Sequence, residues 1–291
     1  MQKVALLGLG AMGSGMAAQL LKAGFPLAVY NRNPDRAAEA VKQGARLAQT
    51  PRDAAEGADV IVAMLADDDA SRKVWLGESG ALHGARLGAT AVECSTLSPH
   101  WVAKLAMAVH ESGCEFLDAP VTGSKSHAAS GELLFLVGGE TETLGRARPV
   151  LKAMSRGIVH LGPVGSGARM KLINNFLCGV QAAALGEAVA MIERGGLDLD
   201  AALDVLKNGA PGSPLVKALA ARMEERTYDV NFALHLMQKD LRYASADALS
   251  NGVALHTAAA ALERFDEANQ RGWGDRDFSA VAEAARGNDR P

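Results

Sequence analysis

At 291 residues, with 48% hydrophobic and 22% charged side chains, the chain has an ordinary globular composition and length enough for two domains. A formal charge of −3 and an aromatic content of 4% remove the electrostatic and stacking signatures of nucleic-acid binders. Cys94, Cys114 and Cys178 match neither a metal spacing nor an even disulfide framework, which points to a reducing, cytoplasmic setting.

Residues 3–7 are an apolar run that reads as a buried parallel strand, so close to the start that no signal peptide is expected. Gly8-Leu9-Gly10-Ala11-Met12-Gly13 follows at once, and residues 14–23 read as a helix closed by Gly24. GxGxxG between strand and helix is the fingerprint of a dinucleotide site. Gly8 serves the tight turn, Gly10 the approach of backbone to pyrophosphate, and Gly13 the packing of helix on strand. The phosphates then face a helix N-terminus, whose free N–H groups and dipole favour anions. The second strand, residues 26–30, ends at Asn31-Arg32-Asn33-Pro34. NAD sites usually place Asp or Glu here to accept from the ribose 2′-OH. Asn31 has no charge and the Arg32 guanidinium matches a 2′-phosphate, which predicts NADP(H) over NAD(H). Arg32 also reads as an exposed turn residue beside Asn33, the cap of a helix over 34–43.

Helices are expected at 51–57 (capped by Thr50), 70–76 and 99–112, and strands at 59–65, 90–93, 115–118 and 133–138. This alternation predicts an α/β, doubly wound, mostly parallel sheet that binds ligands at the carboxyl ends of its strands. Two of those ends carry hydroxyls. Ser95 and Thr96 follow one strand; Thr122, Gly123 and Ser124 follow another, where backbone N–H groups near Gly123 could hold a carboxylate. Each also reads as a cap or a turn.

Residues 165–194 form the longest helical pattern, and 172–186 carry no charge. Lys171 and Asn175 lie four apart near its start, on one face. An amine on an apolar helix costs free energy unless paired or used; taken alone, Lys171 reads as snorkelling to solvent. No apolar run is expected to reach the ~18 residues of a membrane span. Further helices are expected at 200–208, 214–226, 231–250 (capped by Asn231), 254–270 and 278–286, with 287–291 frayed. Phe232, His235 and Lys239 would then share a face, with His235 structural. The seven histidines show no ligand spacing, so no metal is expected.

The runs GLGAMGSGMAAQL, CSTLSP, DAPVTGS, GSGARMKLINN and FALHLMQKDL lie in register from Gly8 to Leu241. On these motifs the chain resembles the β-hydroxyacid dehydrogenase family, which includes 3-hydroxyisobutyrate dehydrogenases, tartronate semialdehyde reductases and glyoxylate/succinic semialdehyde reductases. The resemblance implies a Rossmann-type domain over 1–163 and an all-α domain over 164–291, joined by the long helix. It implies catalysis by Lys171, placed with the substrate by Asn175. Ser95, Thr96, Thr122, Gly123 and Ser124 would hold the substrate carboxylate and hydroxyl, and Phe232 and Asp240 would close over it. Met64, Leu65, Thr96 and Lys239 would line the cofactor beside the glycine loop. Thr122 stands where the family more often has Ser, and Ser124 where it often has Gly. Gly123-Ser124-Lys125 is closest to the glyoxylate/succinic semialdehyde subgroup, although Ser126-His127 replaces the Lys-Pro usual there; Lys125 and His127 read as contacts to a distal acid group or as solvated loop residues.

The implied activity is NADPH-dependent, reversible reduction of a short aldehyde acid, with Lys171 as proton donor or, in oxidation, acceptor. A free lysine titrates near ~10.4, so the amine either has its proton loosened by its setting or stays charged and stabilises the oxyanion. The Ala-rich helical half implies a homodimer or homotetramer. The alternatives are a 3-hydroxyisobutyrate or tartronate semialdehyde-type dehydrogenase, a non-catalytic dinucleotide-binding module and an imine reductase-like enzyme. A mere binder has no need of Lys171, Asn175 and the hydroxyl loops.

Overall fold

β1 (Val4–Leu7), β4 (Val60–Ala63) and β5 (Thr90–Glu93) are buried at every position, as parallel strands covered on both faces are. They belong to a sheet completed by β2 (Leu27–Tyr30), β3 (Arg46–Leu47), β6 (Glu115–Asp118), β7 (Val121–Thr122), β8 (Leu133–Gly139) and β9 (Ser155–Gly162). In this computed structural model, which describes residues 1–288, the order is β3-β2-β1-β4-β5-β6-β8-β7, with β9 beside β8. β3 to β6 run parallel, and β8 is antiparallel to β6 and β7. The order reverses at β1, between β2 and β4, and that reversal is the Rossmann-type switch point.

Alternate strand residues feed two cores. Val4, Leu6, Val60 and Val62 pack with Met16, Ala17 and Leu20 of α1 (Ala11–Lys22) and with Leu144, Ala147 and Leu151 of α7 (Thr141–Ala153). Ala5, Leu7, Ile61 and Ala63 pack on the other side with α3 (Pro51–Ala55), Trp75 of α4 (Asp68–Leu76) and Trp101 of α5 (Pro99–Glu111). Thr50 caps α3, its hydroxyl accepting the Asp53 N–H at 3.0 Å.

Several elements differ from the sequence expectation. α1 begins at Ala11, three residues early, because Gly10 takes the extended cap conformation and Gly13 is already helical. The 34–43 helix is a 3-10 turn, Pro34–Ala37, followed by α2 (Ala38–Lys42). α7 has no counterpart among the expected elements; its burial at Leu144, Ala147 and Val150 outweighs Gly145 and Pro149 within it. β9 lacks alternation because it is a largely exposed edge. The stretch around Lys125 is a short helix, α6 (Lys125–Ser130), not a loop. Gly15 of α1 meets it so closely that a Cβ would stand 2.7 Å from the Ala128–Ala129 backbone.

The long helix is α8 (Ser166–Arg194). The chain divides into two compact units within it, Met1–Lys171 and Leu172–Pro291. By length and composition α8 could cross a membrane, its most apolar 18 residues averaging a hydropathy of 1.4, which corrects the expectation that no apolar run is so long. Half of that window is buried in the protein, as in the core helix of a globular domain.

The second unit adds α9 (Leu199–Asn208), α10 (Pro214–Glu225), α11 (Leu234–Ser250), α12 (His256–Ala268) and α13 (Ala282–Arg286). α11 starts three residues after the expected Asn231 cap. The N–H groups of Asn231 and Phe232 donate instead to Asp277 Oδ2, at 3.0 and 3.2 Å, and Ala233 bridges Asp277. This keeps 231–233 out of the helix, as two bends and a bridge, so Phe232 does not share a helical face with His235 and Lys239. Asp277 is fully buried and balanced by Arg222 at 2.8 Å. Gly287 and Asn288 are not frayed: their N–H groups donate to Ala284 and Glu283 carbonyls. The rest of that expectation, residues 289–291, lies outside the described residues.

Candidate active site

Gly8 follows β1 with φ +102°, a conformation that favours glycine, and a Cβ there would strike the Met64 carbonyl after β4. A Cβ on Gly13 would strike the Gly8 carbonyl, so α1 begins hard against the end of β1. A Cβ on Gly10 would meet nothing within 4 Å. No packing inside the protein asks for glycine there; a ligand lying along the backbone does. The N–H groups of Ala11, Met12 and Gly13 precede the first intrahelical bond, from Ser14 N–H to the Gly10 carbonyl. The loop therefore fits a pyrophosphate, with the helix dipole favouring the charge.

The Asn31 carboxamide accepts the Leu9 N–H at 2.9 Å, which ties the end of β2 to the glycine loop. Leu9 itself points into the core. Asn33 caps the next turn through the Asp35 N–H at 3.0 Å. Arg32 is exposed, as is Arg36 within that turn, which sequence reading passed over. Both residues follow the end of β2, where a ribose 2′-substituent is read in sheets of this order.

After β4, the Leu65 N–H donates to Ser95 Oγ at 2.7 Å. The Ser95 hydroxyl in turn donates to Glu93 Oε1 at 2.5 Å, and its N–H reaches the same oxygen at 3.0 Å. Glu93 Oε2 accepts Ser71 Oγ and Trp75 Nε1, both at 2.8 Å. The buried Ser95 side chain thus locks the ends of β4 and β5 together, leaving half-buried Thr96 at the rim. Burial pushes the Glu93 carboxyl above its usual range, against the pull of those four donors. Glu93 gave no sequence signal, since its partners lie on other elements.

Thr122 is half-buried at the end of β7, and Gly123 turns with φ +123°. Ser124 opens α6 with a capping box: its N–H donates to His127 Nδ1 at 3.1 Å, and its hydroxyl lies 2.8 Å from the same nitrogen. His127 shapes this turn rather than being solvated loop.

Lys171 and Asn175 stand one turn apart on α8. Within the second unit Asn175 is buried, and its Nδ2 donates to Asp240 Oδ2 at 2.6 Å, while Oδ1 accepts Asn174 Nδ2 at 3.0 Å. Asp240 is fully buried with Lys239 Nζ 2.7 Å from Oδ1, and Lys239 also stacks on Tyr243, 4.7 Å from the ring centroid. Phe232 packs edge-on against Phe278, with centroids 5.9 Å apart. His235 is structural, its Nδ1 2.9 Å from the Gly274 carbonyl. Among the described residues no group of three or more His, Cys, Asp or Glu could hold a metal ion.

A groove of about 500 Å³ lies at the opposite, amino ends of the strands, lined by Gln2, Asp59, Arg86, Thr90 and Arg146. Its arginines are already paired, Arg86 with Asp59 and Arg146 with Glu115 and Glu142, and ligands of such sheets bind at the carboxyl ends.

Residues 3–162 match the NAD binding domain of 6-phosphogluconate dehydrogenase, and residues 165–285 the NAD-binding domain of NADP-dependent 3-hydroxyisobutyrate dehydrogenase. Glyoxylate/succinic semialdehyde reductase 1 of Arabidopsis thaliana is 35% identical over 284 residues, covering 98% of either chain. The chain belongs to the β-hydroxyacid dehydrogenase family. The NAD-dependent L-serine dehydrogenase of Pseudomonas aeruginosa, another relative, is also 35% identical, over 97% of either chain. The crystal structure of a 3-hydroxyisobutyrate dehydrogenase from Salmonella typhimurium superposes with a TM-score of 0.90 at 30% identity, over 97% of this chain and 99% of that one. As a β-hydroxyacid dehydrogenase, the chain is an NAD(P)-dependent oxidoreductase acting on a hydroxy acid.

Proposed function

We propose that this dehydrogenase uses NADPH to reduce a short aldehyde acid, such as glyoxylate or succinic semialdehyde, reversibly to the hydroxy acid. The observation that carries the reading is the placement of Lys171 one turn before Asn175, whose amide is locked in one orientation by Asp240 and Asn174. A fixed amide beside an amine suits a site that orients a carbonyl oxygen and protonates it.

When bound, the nicotinamide supplies the hydride. Gly8 to Gly13 hold the pyrophosphate through N–H groups, Arg32 takes the 2′-phosphate, and the Met64 and Leu65 backbone and Lys239 border the cofactor. Thr96, Thr122, Gly123 and Ser124 bind the substrate carboxylate, with Ser95 ordering their rim from behind. As the aldehyde carbon receives the hydride, Lys171 gives a proton to the oxygen that becomes the hydroxyl; in oxidation it accepts that proton. Asn175, Phe232 and Asp240 orient and enclose the substrate.

The test is NADPH oxidation against glyoxylate, succinic semialdehyde, methylmalonate semialdehyde and tartronate semialdehyde, with L-serine oxidation as the opposing arm. Preference for one of the first two fixes the subgroup. Preference for methylmalonate or tartronate semialdehyde, or for serine with NAD, overturns it, and no turnover with NADPH bound favours a binding module or an imine substrate. For the coenzyme, Arg32→Ala is expected to weaken NADPH about 10-fold or more, the value of a charge-assisted hydrogen bond, and to leave NADH nearly unchanged. Parallel titrations followed by nicotinamide fluorescence check this, and equal loss for both coenzymes would reject the phosphate role.

The same reading places the enzyme in the cytoplasm, with Cys94, Cys114 and Cys178 in no disulfide. It also makes the enzyme a homodimer or homotetramer, supported by exposed Ile173, Leu177 and Met191 along α8.

A further inference from the structure

The carboxylate of Asp118 lies at the junction of two segments that the proposed reaction needs together. It ends β6, and the next residues lead into Thr122, Gly123 and Ser124. It also reaches far along the chain: Oδ1 accepts the Gly165 N–H and Oδ2 the Ala168 N–H, each at 2.8 Å. Those donors bracket the first turn of α8, three residues before Lys171. The surroundings are cut to the carboxylate. A Cβ on Gly138 would strike Asp118 Oδ1; one on Gly167 would strike the Leu136 carbonyl first and stand 3.0 Å from Oδ2. Asp118 is 1% exposed. Burial pushes its carboxyl up to about 6, while backbone N–H groups pull it the other way. A buried acid in a glycine cradle is an expensive way merely to cap a helix, a task that Ser or Thr performs at the surface.

We propose that Asp118 is a positioning residue: its two oxygens fix the first turn of α8 against the end of β6, and so set Lys171 in register with the hydroxyl loop. The proposal rests on Lys171 being the proton donor. Asp118 acts through Lys171, and its loss shows in the chemical step.

Asp118→Asn keeps the shape but presents an NH2 to one of the two N–H donors. With NADPH and the preferred aldehyde acid, kcat is expected to fall about 100-fold, as a misplacement near 1 Å does, with KM and the NADPH Kd changed less than about 3-fold. In a Lys171→Ala background the same substitution is expected to alter the residual rate by less than about 3-fold, because coupled residues are not additive. Asp118→Asn with lowered Tm and wild-type kcat would make the carboxylate purely structural and overturn the proposal. So would an equal loss in both backgrounds, or loss of NADPH binding. If Asp118→Asn does not fold, Asp118→Ser, which removes the carboxylate without adding volume, tests the same turn: it is expected to lower kcat with the NADPH Kd changed less than about 3-fold, and wild-type kcat in a folded Asp118→Ser overturns the proposal. A Lys171→Ala enzyme that keeps its kcat refutes the proton-donor reading itself, whatever Asp118 does.

Discussion

Replacing Lys171 by Ala is expected to lower kcat about 1000-fold in aldehyde reduction, within the 10²–10⁴ range of a positioned proton donor. NADPH affinity and Tm should change little. Lys171 sits near the start of α8, on a different element from the glycine loop, Arg32 and the Leu65–Ser95 lock that define the cofactor site. Steady-state kinetics with coenzyme titration separates the outcomes. A fall in kcat at constant coenzyme affinity gives Lys171 the proton, whereas a rise in KM alone makes it a substrate anchor. Lys171→Arg should not rescue: a guanidinium stays protonated and donates through a planar fork rather than a single mobile ammonium.

The second large effect is expected at Glu93. Truncation to Ala leaves Ser71 Oγ, Trp75 Nε1 and the Ser95 N–H and hydroxyl facing a dry cavity. Stranding buried donors costs about 1–3 kcal/mol each, with partial relief by rearrangement, so about 3–5 kcal/mol is expected in total. At about 2–4 °C per kcal/mol for a unit of this size, Tm should fall by about 10 °C or more in calorimetry. Glu93→Gln keeps the volume and one of the two acceptor oxygens, hence two of the four bonds, and should lose less than Glu93→Ala. Its pH dependence is informative. The folded carboxyl lies above its unfolded value of 4.5, so its contribution is fully present below that value and is lost as pH rises through the folded one. The Gln variant, having no proton to lose, should show a flatter stability curve over that window. A Gln variant as unstable as the Ala variant would mean that the charge, not the acceptor geometry, holds the network.

What the sequence made legible was local. β1, the glycine loop and α1 lie within Val4 to Lys22, and each glycine has its duty within that span. The doubly wound, mostly parallel sheet followed from alternation, and its Rossmann-type character from the family resemblance. Lys171 and Asn175 were visible because four residues make one helical turn. What escaped depends on partners distant in sequence. Asp118 stood at a strand end, but nothing near it announced Gly165 and Ala168. Asn231 looked like a cap because it precedes an apolar helical run; Asp277, 46 residues on, takes its N–H and delays the helix. α7 was obscured by Pro149 and Gly145, whose local preferences yield to a buried apolar stripe. His127 gave no sign of its task because a capping box is usually closed by Glu or Gln.

The close approach of Gly15 to Ala128 and Ala129 has a consequence for how this enzyme can diversify. α1 grows out of the coenzyme loop, and α6 begins directly after Thr122, Gly123 and Ser124. With backbone against side-chain-less backbone there is no compressible layer between them. A change of coenzyme that displaces α1 is transmitted to the acid-recognition loop, and a loop remodelled for a bulkier acid presses back on α1. Selection for a new substrate and selection for a new coenzyme should therefore travel together in this scaffold, with compensating changes gathering at positions 15 and 128.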